Sequence, residues 1–236
     1  MQKILGTMRK AIAEYSLIDD GDRIAVGISG GKDSLVLLRG LHLLRRFIGK
    51  EYELFAVTAD MRFGGADGDF SAIAEFCGEM GIPYTVVPTD IAEIVFEIRK
   101  EPNPCSLCAK MRRGILHETA KNLGCNKIAL GHNFDDAVET FMMNLFIEGR
   151  LGCFAPKAYL SRRDLTLIRP LVFTPENLIR STARRLEFPV MKSPCPEDGH
   201  TAREEMKKFL AERERGDKGF RERIFGAMKK AHLDNF

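Results

Sequence analysis

The sequence predicts an α/β fold: a Rossmann-like parallel five-stranded sheet with helices on both faces, followed by a helical C-terminal extension. Three observations lead to this prediction. Short apolar runs typical of buried strands alternate with longer segments of helical periodicity. The 236 residues are enough for one compact domain and an appendage. Hydrophobic residues make up 44% and charged residues 29%, a globular balance that excludes a disordered chain or a coiled coil.

The first part of the chain contains the strand and helix pattern. An amphipathic helix comes first, with the apolar stripe Ile4, Leu5, Met8 and Ile12. The strands are short apolar runs bounded by turn residues, at 23–28, 53–59, 84–88, 126–131 and 165–170. The helices between them are predicted at 35–47, 70–80, about 106–123 and 134–146, with loops at 61–69 and, rich in proline, around 102–104.

Three further helices are predicted beyond the last strand. Thr174 and Pro175 favour a helix start, with a capping hydroxyl and a proline at the first helical position. Thr201 and Glu204 form a capping-box pattern for the next helix. The last helix is lined by Phe220, Ile224, Met228 and Ala231.

We expect two domains, a nucleotide-binding and catalytic domain at 1–190 and a C-terminal segment at 191–236 that holds Cys195 and two basic helices. The charge is uneven: residues 151–236 carry six more basic than acidic side chains, whereas residues 1–150 carry three more acidic ones. A basic C-terminal third suits a polyanionic partner, although such an excess is also found on ordinary solvated surfaces.

Several classes of protein are excluded by composition. No apolar stretch approaches the roughly 20 residues that a membrane span needs. The N-terminus is amphipathic and carries acidic residues, so it does not resemble a signal peptide, and we expect a cytoplasmic protein without a membrane partner. The six cysteines are therefore not expected to form a disulfide framework.

A glycine-rich turn follows the first predicted strand. Ligands of parallel sheets bind beyond the carboxyl ends of the strands, here just after residues 28, 59 and 131. Ser29 to Ser34 read SGGKDS, in which the adjacent glycines and the helix N-terminus favour an anion such as phosphate. The turn is not a Walker A loop, because Val26 and Asp33 replace its first glycine and its magnesium-binding hydroxyl. The alternative is a tight turn without a ligand.

A second polar turn, GHNFDD at 131–136, follows the fourth predicted strand. Asn133 can cap the next helix, where Asp135 falls on the apolar side and Asp136 points sideways. Complementarity with the helix dipole accounts for one aspartate. Two aspartates after a Gly-His pair favour a metal or nucleotide site. His132 taken alone is more typical of a structural residue.

Three cysteines are candidate ligands. Cys105 and Cys108 form a CxxC pattern at the start of a helix, where the helix N-terminus favours thiolate. Cys195 lies between prolines on a predicted loop. Zinc, an iron–sulfur cluster and redox exchange all use CxxC, and spacing alone does not decide between them. The other three cysteines, Cys77, Cys125 and Cys153, are interpreted as structural.

SGGKDS and GHNxDD together resemble the PP-loop ATP pyrophosphatases, which cleave ATP between the α and β phosphates and transfer AMP to a carbonyl oxygen. The resemblance implies an ATP site with Mg²⁺ at Asp33 and Asp136, where a cation lets carboxylates lie beside phosphates. The residues that it assigns to the nucleotide are Gly27, Ile28, Ser29, Gly30, Gly31, Lys32, Asp33, Ser34, Ala59, Arg113, Gly131 and Asp136.

From about residue 15 to the C-terminus, the sequence is similar to the tRNA 2-thiocytidine synthetase group of tRNA sulfurtransferases. The similarity rests on CSLCAKMRRGIL, on GHNxDD and on the later lone cysteine. It implies that Cys105, Cys108 and Cys195 hold a 4Fe-4S cluster with one iron open for sulfide. It also implies adenylation of the C2 oxygen of a pyrimidine, a cytidine in the anticodon loop, with catalytic roles for Lys32, Asp33 and the three cysteines.

The same resemblance implies a tRNA substrate and a sulfur donor, such as a cysteine desulfurase or free sulfide; a homodimer is left open. Arg112 and Arg113 are candidates for phosphate contacts of ATP or RNA, or are solvated helix arginines. Two alternatives are another PP-loop adenylating enzyme, such as an amidating ligase, and a zinc-stapled nucleotide- or RNA-binding module. The first does not need the cysteines, and the second releases no pyrophosphate.

Overall fold

The computed structural model describes residues 1–100, 104–197, 199 and 201–236. Part of the predicted proline-rich loop around 102–104 lies outside them. The strands are β1 Asp22–Gly27, β2 Tyr52–Asp60, β3 Tyr84–Pro88, β4 Lys127–Ala129, β5 Lys157–Leu160 and β6 Leu165–Ile168. The helices are α1 Gln2–Glu14, α2 Lys32–Leu44, α3 Ser71–Gly78, α4 Pro104–Asn122, α5 Phe134–Phe146, α6 Glu176–Arg185, α7 Ala202–Gly216 and α8 Phe220–Lys230.

The sheet has the strand order β3-β2-β1-β4-β6-β5. Neighbouring strands are parallel except β5, which pairs antiparallel with β6. From β1 the chain passes to β2 and then to β3, which forms one edge of the sheet. It then returns to the middle of the sheet, where β4 pairs with the other side of β1. The order therefore reverses at β1 and β4, and the carboxyl ends of these two strands frame the crevice in which such sheets bind ligands.

The prediction of five strands is wrong, because the described part of the chain forms six. The missed strand, β5, is four residues long and lies at the edge of the sheet. It is joined to β6 by the turn at 161–164, whose residues are all exposed. A short edge strand with a polar turn lacks the apolar run of a buried strand, so the sequence pattern did not indicate a strand here.

The other elements lie within a few residues of their predicted bounds, and α5 and β3 coincide with them. Three short helical segments were not predicted: a 3₁₀ turn at Phe63–Gly65 within the 61–69 loop, a π-helix at Glu93–Ile98 and a 3₁₀ turn at Leu233–Asn235. The predicted cap of α6 is wrong in detail. Pro175 is its N-cap, and the Thr174 hydroxyl instead lies 2.6 Å from that of Thr7. The cap of α7 is confirmed, because Thr201 Oγ1 accepts a hydrogen bond from the Glu204 amide.

Each face of the sheet is covered by its own core. Ile24 and Val26 of β1 face the larger core, which includes the buried side chains of α1, α2 and α6. Ala25, between them, faces the smaller core with Ala120 of α4. This alternation is the period-two pattern of a strand buried on both sides. Among the described residues, no helix is long and apolar enough to cross a bilayer.

The C-terminal helices pack on α5 rather than standing apart. Met206 and Leu210 of α7 and Phe225 and Met228 of α8 belong to the larger core. The segment between α6 and α7, residues 186–201, has no helix or strand where it is described. The proposed domain boundary at 190 falls within this segment, which runs back toward the crevice.

Candidate active site

The SGGKDS loop lies between β1 and α2, at the crevice. It is held by its own hydroxyls: the Ser29 amide donates to Ser34 Oγ at 3.2 Å, and Ser34 Oγ donates to the Gly31 carbonyl at 2.9 Å. Gly31 is the N-cap of α2, and no side chain caps this helix. The first amides of α2 are thus available to an anion, as a phosphate loop requires.

Gly30 is the residue of the loop that needs to be glycine. Its φ of +79° is in the left-handed region, and a Cβ atom there would lie 3.2 Å from the side chain of Met191. The Met191 amide donates a hydrogen bond to the Gly30 carbonyl at 2.9 Å. The phosphate loop is therefore joined directly to the segment that carries Cys195.

We expect Gly30→Ala to lower the free energy of unfolding by about 1–2 kcal/mol, because an L side chain is strained at this φ and Met191 must move. Gly31→Ala is the matched control. Gly31 has a φ of −78°, and its added Cβ would meet only Ser29 Oγ, at 3.3 Å. Urea unfolding measures the free energy of unfolding of both variants. Equal losses of stability would contradict the specific need for glycine at position 30.

Lys32 lies between two carboxylates, with Nζ 2.9 Å from Asp33 Oδ2 and 2.8 Å from Glu176 Oε1. Burial lowers the pKa of Lys32, but the two carboxylates outweigh it and the pKa is raised. Glu176 is also buried, yet hydrogen bonds from Lys32 and Lys207 bring its pKa down to about 2. Glu176 was not predicted from the sequence, because Lys32 of the phosphate loop is more than 140 residues away from it.

Asn133 connects the two predicted magnesium ligands. Its side-chain amide donates to Asp33 Oδ1 at 2.9 Å, and its backbone amide donates to Asp136 Oδ2 at 2.9 Å. Asn133 Oδ1 accepts from the Asp136 amide, which completes a capping box for α5. A Cβ on Gly131 would lie 3.1 Å from the Ser34 amide nitrogen, so glycine permits the two turns to approach closely.

The charge of this acidic site is suited to a cation. Burial raises the pKa of Asp136, and the nearby Asp33 and Glu176 carboxylates raise it further. Carboxylate oxygens are the ligands that Mg²⁺ prefers, and a cation would relieve their repulsion. Arg203 of α7 supplies positive charge here, with NH1 3.4 Å from Asp136 Oδ1 and 3.5 Å from Glu139 Oε2. Arg203 was not predicted from the sequence.

A cavity of about 570 Å³ opens beside the two turns. Nine of the twelve residues predicted to contact the nucleotide line it: Gly27, Ile28, Ser29, Asp33, Ser34, Ala59, Arg113, Gly131 and Asp136. Gly30, Gly31 and Lys32 belong to the same loop but are not part of the lining. Arg112, the other candidate arginine of α4, also lines the cavity.

Three further lining residues, His132, Phe154 and Arg169, were not assigned to the site. Arg169 Nε donates to His132 Nδ1 at 3.2 Å, and both groups stack on Phe154, with the imidazole 4.8 Å from its ring centroid. Burial lowers the pKa of Arg169 to about 10, and that of His132 to about 3 with help from Arg169, Arg203 and Arg113. Arg169 is thus a buried guanidinium at the cavity wall without a carboxylate partner among the described residues.

His132 should make stability depend on pH. Its pKa is lowered from 6.5 to about 3 in the folded chain, so between these values only the unfolded chain takes up the proton. Stability is therefore lost as the pH falls through this range. We expect the wild type to lose about 2 kcal/mol more than His132→Asn between pH 7 and pH 5. Urea unfolding at both values tests this, and parallel losses would contradict it.

The three candidate cysteines lie near one another. Cys105 is exposed in the first turn of α4, while Cys108 and Cys195 are half-buried. Their charges act on one another, and Arg112 hydrogen-bonds to Cys108. Within residues 1–100, 104–197, 199 and 201–236, no three histidine, cysteine, aspartate or glutamate side chains are arranged to hold a metal ion. The three thiols share one region of the surface without being gathered around a common centre.

Cys105 and Cys108 do not have the lowered pKa that a helix N-terminus favours. Burial and the neighbouring Cys195 raise the pKa of both Cys105 and Cys108, which outweighs the helix N-terminus. The other cysteines behave as predicted. Cys77 and Cys125 are buried, and Cys153 is half-buried with a pKa raised by burial to about 12.

Comparisons with known proteins support the interpretation of this region as a nucleotide site. The PP-loop domain family matches residues 3–214. A tRNA-cytidine(32) 2-sulfurtransferase from Geobacter sulfurreducens is 41% identical over 96% of this chain and 89% of its own. The U34-tRNA thiolase NcsA from Methanococcus maripaludis, solved with its [4Fe-4S] cluster, superposes with a TM-score of 0.76 at 27% identity, over 98% of this chain and 78% of that one.

A more distant neighbour shares the fold alone. An NH3-dependent NAD synthetase from Campylobacter jejuni is 15% identical, with a TM-score of 0.52 over 97% of this chain and 91% of its own. The phosphate loop, the paired acidic turns and the sequence match over most of the chain lead to one conclusion: the chain belongs to the PP-loop domain family.

Proposed function

We propose that this protein is an ATP-dependent tRNA sulfurtransferase that replaces the C2 oxygen of a cytidine with sulfur. The observation that carries the proposal is the cavity, which is lined by the phosphate loop, by Asp136 and by Arg112 and Arg113 of α4. These arginines follow Cys108 by one turn of the same helix. The candidate ligand Cys108 therefore lies within one helical turn of the wall of the nucleotide cavity. The named relatives act on cytidine 32 of tRNA or on U34 of tRNA.

The nucleotide would bind with its phosphates on the loop at 29–34. Free amides at the start of α2 face the anion, Lys32 supplies positive charge, and the backbone near Ala59 lies where adenine would be held. Asp33 and Asp136 fit a magnesium ion by their oxygen donors and their mutual repulsion. Arg113 and Arg169 face the cavity and suit the remaining negative charge.

The reaction would proceed in two displacements. The C2 oxygen of the base attacks the α-phosphorus of ATP, an O–P bond forms, and pyrophosphate leaves. A sulfur nucleophile then attacks C2, the C–O bond breaks and AMP leaves with the former carbonyl oxygen. The loop amides and Lys32 stabilise the charge that develops on the phosphates during the first step. A protein side chain need not form a covalent intermediate in either step.

Cys105, Cys108 and Cys195 would hold a 4Fe-4S cluster. Their soft thiolate donors suit iron, and Cys195 lies close enough to Cys105 and Cys108 to raise the pKa of both thiols. When bound by three thiolates, such a cluster supplies one iron without a protein ligand, where sulfide can be held. Cluster binding would require the three sulfurs to draw together, because within the described residues no three such side chains are arranged around a common metal position.

The sulfur donor would be a cysteine desulfurase or free sulfide, and the reaction would take place in the cytoplasm on a tRNA anticodon loop. A homodimer is compatible with this proposal but is not needed for it. The cavity contains groups from the loop, α4, β2 and α5 of one chain.

RNA-dependent release of pyrophosphate, followed by nucleoside mass spectrometry of the tRNA, tests the proposal. We expect pyrophosphate release to rise when tRNA is added, and 2-thiocytidine to form when ATP and sulfide are both present. ATP binding without pyrophosphate release would identify a nucleotide-binding module instead. Adenylation that incorporates ammonia rather than sulfur would identify an amidating ligase.

A further inference from the structure

A line of basic side chains leads from the cavity along α4. Arg113, His117 and Lys121 are four residues apart, so they lie on one face of the helix. The line is about 12 Å long at the helical rise per residue. Arg113 lines the cavity, and Lys121 lies at the far end.

The turn between β5 and β6 lies beside the far end of this line. Lys121 Nζ is 3.3 Å from the Asp164 carbonyl oxygen and 3.4 Å from its Oδ2. The turn also carries Arg162 and Arg163, both exposed. We refer to Arg113, His117, Lys121, Arg162 and Arg163 as the basic ridge.

The positive charge of the basic ridge is not neutralised within the part of the chain that the structure describes. The side chains of Arg162 and Arg163 make no hydrogen bond or ion pair with a described residue, and the only acceptor of Arg113 is the Ala109 carbonyl in its own helix. The charge of the ridge comes from its arginines and Lys121. Burial lowers the pKa of His117, and Arg163 and Arg113 lower it further, so this imidazole is neutral near pH 7. The Asp164 carboxylate forms an ion pair with Lys121, so it balances the charge of this one residue of the ridge. A surface of this kind attracts a polyanion.

An exposed aromatic ring lies next to these charges. Tyr159 on the edge strand β5 is 64% exposed. Its hydroxyl donates to Asp164 Oδ1 at 3.0 Å, and the other carboxylate oxygen of Asp164 faces Lys121. The hydrogen bond to Asp164 thus fixes the hydroxyl end of the ring, while the faces of the ring stay accessible. A fixed, exposed aromatic ring beside arginines suits an unstacked base better than it suits an acidic protein or a lipid surface.

We propose that the basic ridge is the track on which the sugar–phosphate backbone of the tRNA enters the cavity, with Tyr159 as a stacking platform for a base outside it. This inference rests on the proposed function, because it takes tRNA as the polyanion. It adds the surface and the residues that bind the strand beyond the target base. Phosphate contacts along the ridge would position the strand, and the cavity would receive one unstacked nucleotide.

The double variant Arg162→Ala/Arg163→Ala tests the track. We expect the Kd for tRNA at 0.15 M salt to rise about tenfold, and the slope of log K against log salt to fall in magnitude by about 1 to 2, since each lost phosphate contact contributes about 1. ATP binding without RNA should be unchanged. Tyr159→Ala should weaken tRNA binding at an unchanged salt slope, whereas Tyr159→Phe should bind as the wild type does.

Arg45→Ala/Arg46→Ala is the matched control. These two arginines are also adjacent, exposed and without a hydrogen-bonded or ionic side-chain partner in the described structure, and they follow the C-terminal end of α2, away from the cavity. We expect this control to bind tRNA with the wild-type Kd and slope. Equal losses in the two double variants would indicate a general charge effect and would overturn the track.

The outcomes separate this inference from the proposed function. Wild-type tRNA affinity and slope in Arg162→Ala/Arg163→Ala, with wild-type thiolation intact, would overturn the track alone. A wild-type protein that binds tRNA through the basic ridge but forms no thiolated nucleoside would overturn the proposed function alone. A loss of binding to anionic phosphatidylserine vesicles without a loss of tRNA binding would assign the ridge to a membrane surface and would also overturn the track.

Discussion

Cys195→Ala is expected to abolish thiolation while leaving ATP binding intact. Cys195 lies in the segment between α6 and α7, which is joined to the phosphate loop by the hydrogen bond from the Met191 amide to the Gly30 carbonyl, and this bond does not involve the Cys195 thiol. Removal of its thiol leaves Cys105 and Cys108, and two thiolates on one helix are too few to retain a cluster that normally has four ligands. After anaerobic purification, the wild type should be brown with about four irons per chain, and the variant colourless.

Cys153→Ala is the control for the cysteine prediction. Cys153 is also half-buried and also near the cavity wall, but its sulfur donates to the Ala137 carbonyl and its neighbours are not thiols. We expect this variant to retain the iron and the thiolation activity of the wild type. A wild type that is purified colourless with bound zinc, or a Cys195→Ala variant that keeps its iron, would contradict the cluster assignment.

The parts of the site that are formed by short sequence motifs could be predicted from the sequence. SGGKDS specifies a loop with a left-handed glycine and open helix amides, and Gly30 and Gly31 have those roles in the structure. The helical spacing after Asn133 separated Asp135 from Asp136, and the structure buries the first and turns the second to the cavity. Such assignments depend on backbone geometry over six residues, which the sequence expresses directly.

The parts that were missed depend on partners distant in sequence. Glu176 contacts Lys32, Arg203 contacts Asp136, and Arg169 contacts His132, and in each pair a charged residue has no local pattern that distinguishes it from a surface residue. The raised pKa of Cys105 and Cys108 was missed for a related reason. The helix N-terminus can be seen in the sequence, but burial and the approach of Cys195 are tertiary effects.

The adjacent carboxylates Asp135 and Asp136 should give opposite results when each is changed to asparagine. Asp136 faces the cavity, and its Oδ2 accepts a hydrogen bond from the Asn133 backbone amide, which the side-chain oxygen of an asparagine can also accept. We expect Asp136→Asn to lower RNA-dependent pyrophosphate release by at least about a hundredfold, because a charge that holds the cation at the phosphates is lost. The cap of α5 is retained, so the free energy of unfolding should change by no more than about 1 kcal/mol.

Asp135 has a structural role instead, because it joins α5 to α6 and α8. Its Oδ2 accepts from the Glu176 amide at 2.7 Å, and its Oδ1 pairs with Arg221, whose Nε is buried without a hydrogen-bond partner among the described residues. Asp135→Asn leaves this guanidinium uncompensated, and we expect it to cost about 3 kcal/mol of unfolding free energy. Pyrophosphate release per folded molecule should stay close to that of the wild type. If Asp135→Asn instead lost activity at full stability, or Asp136→Asn unfolded at full activity, the two roles would have to be exchanged.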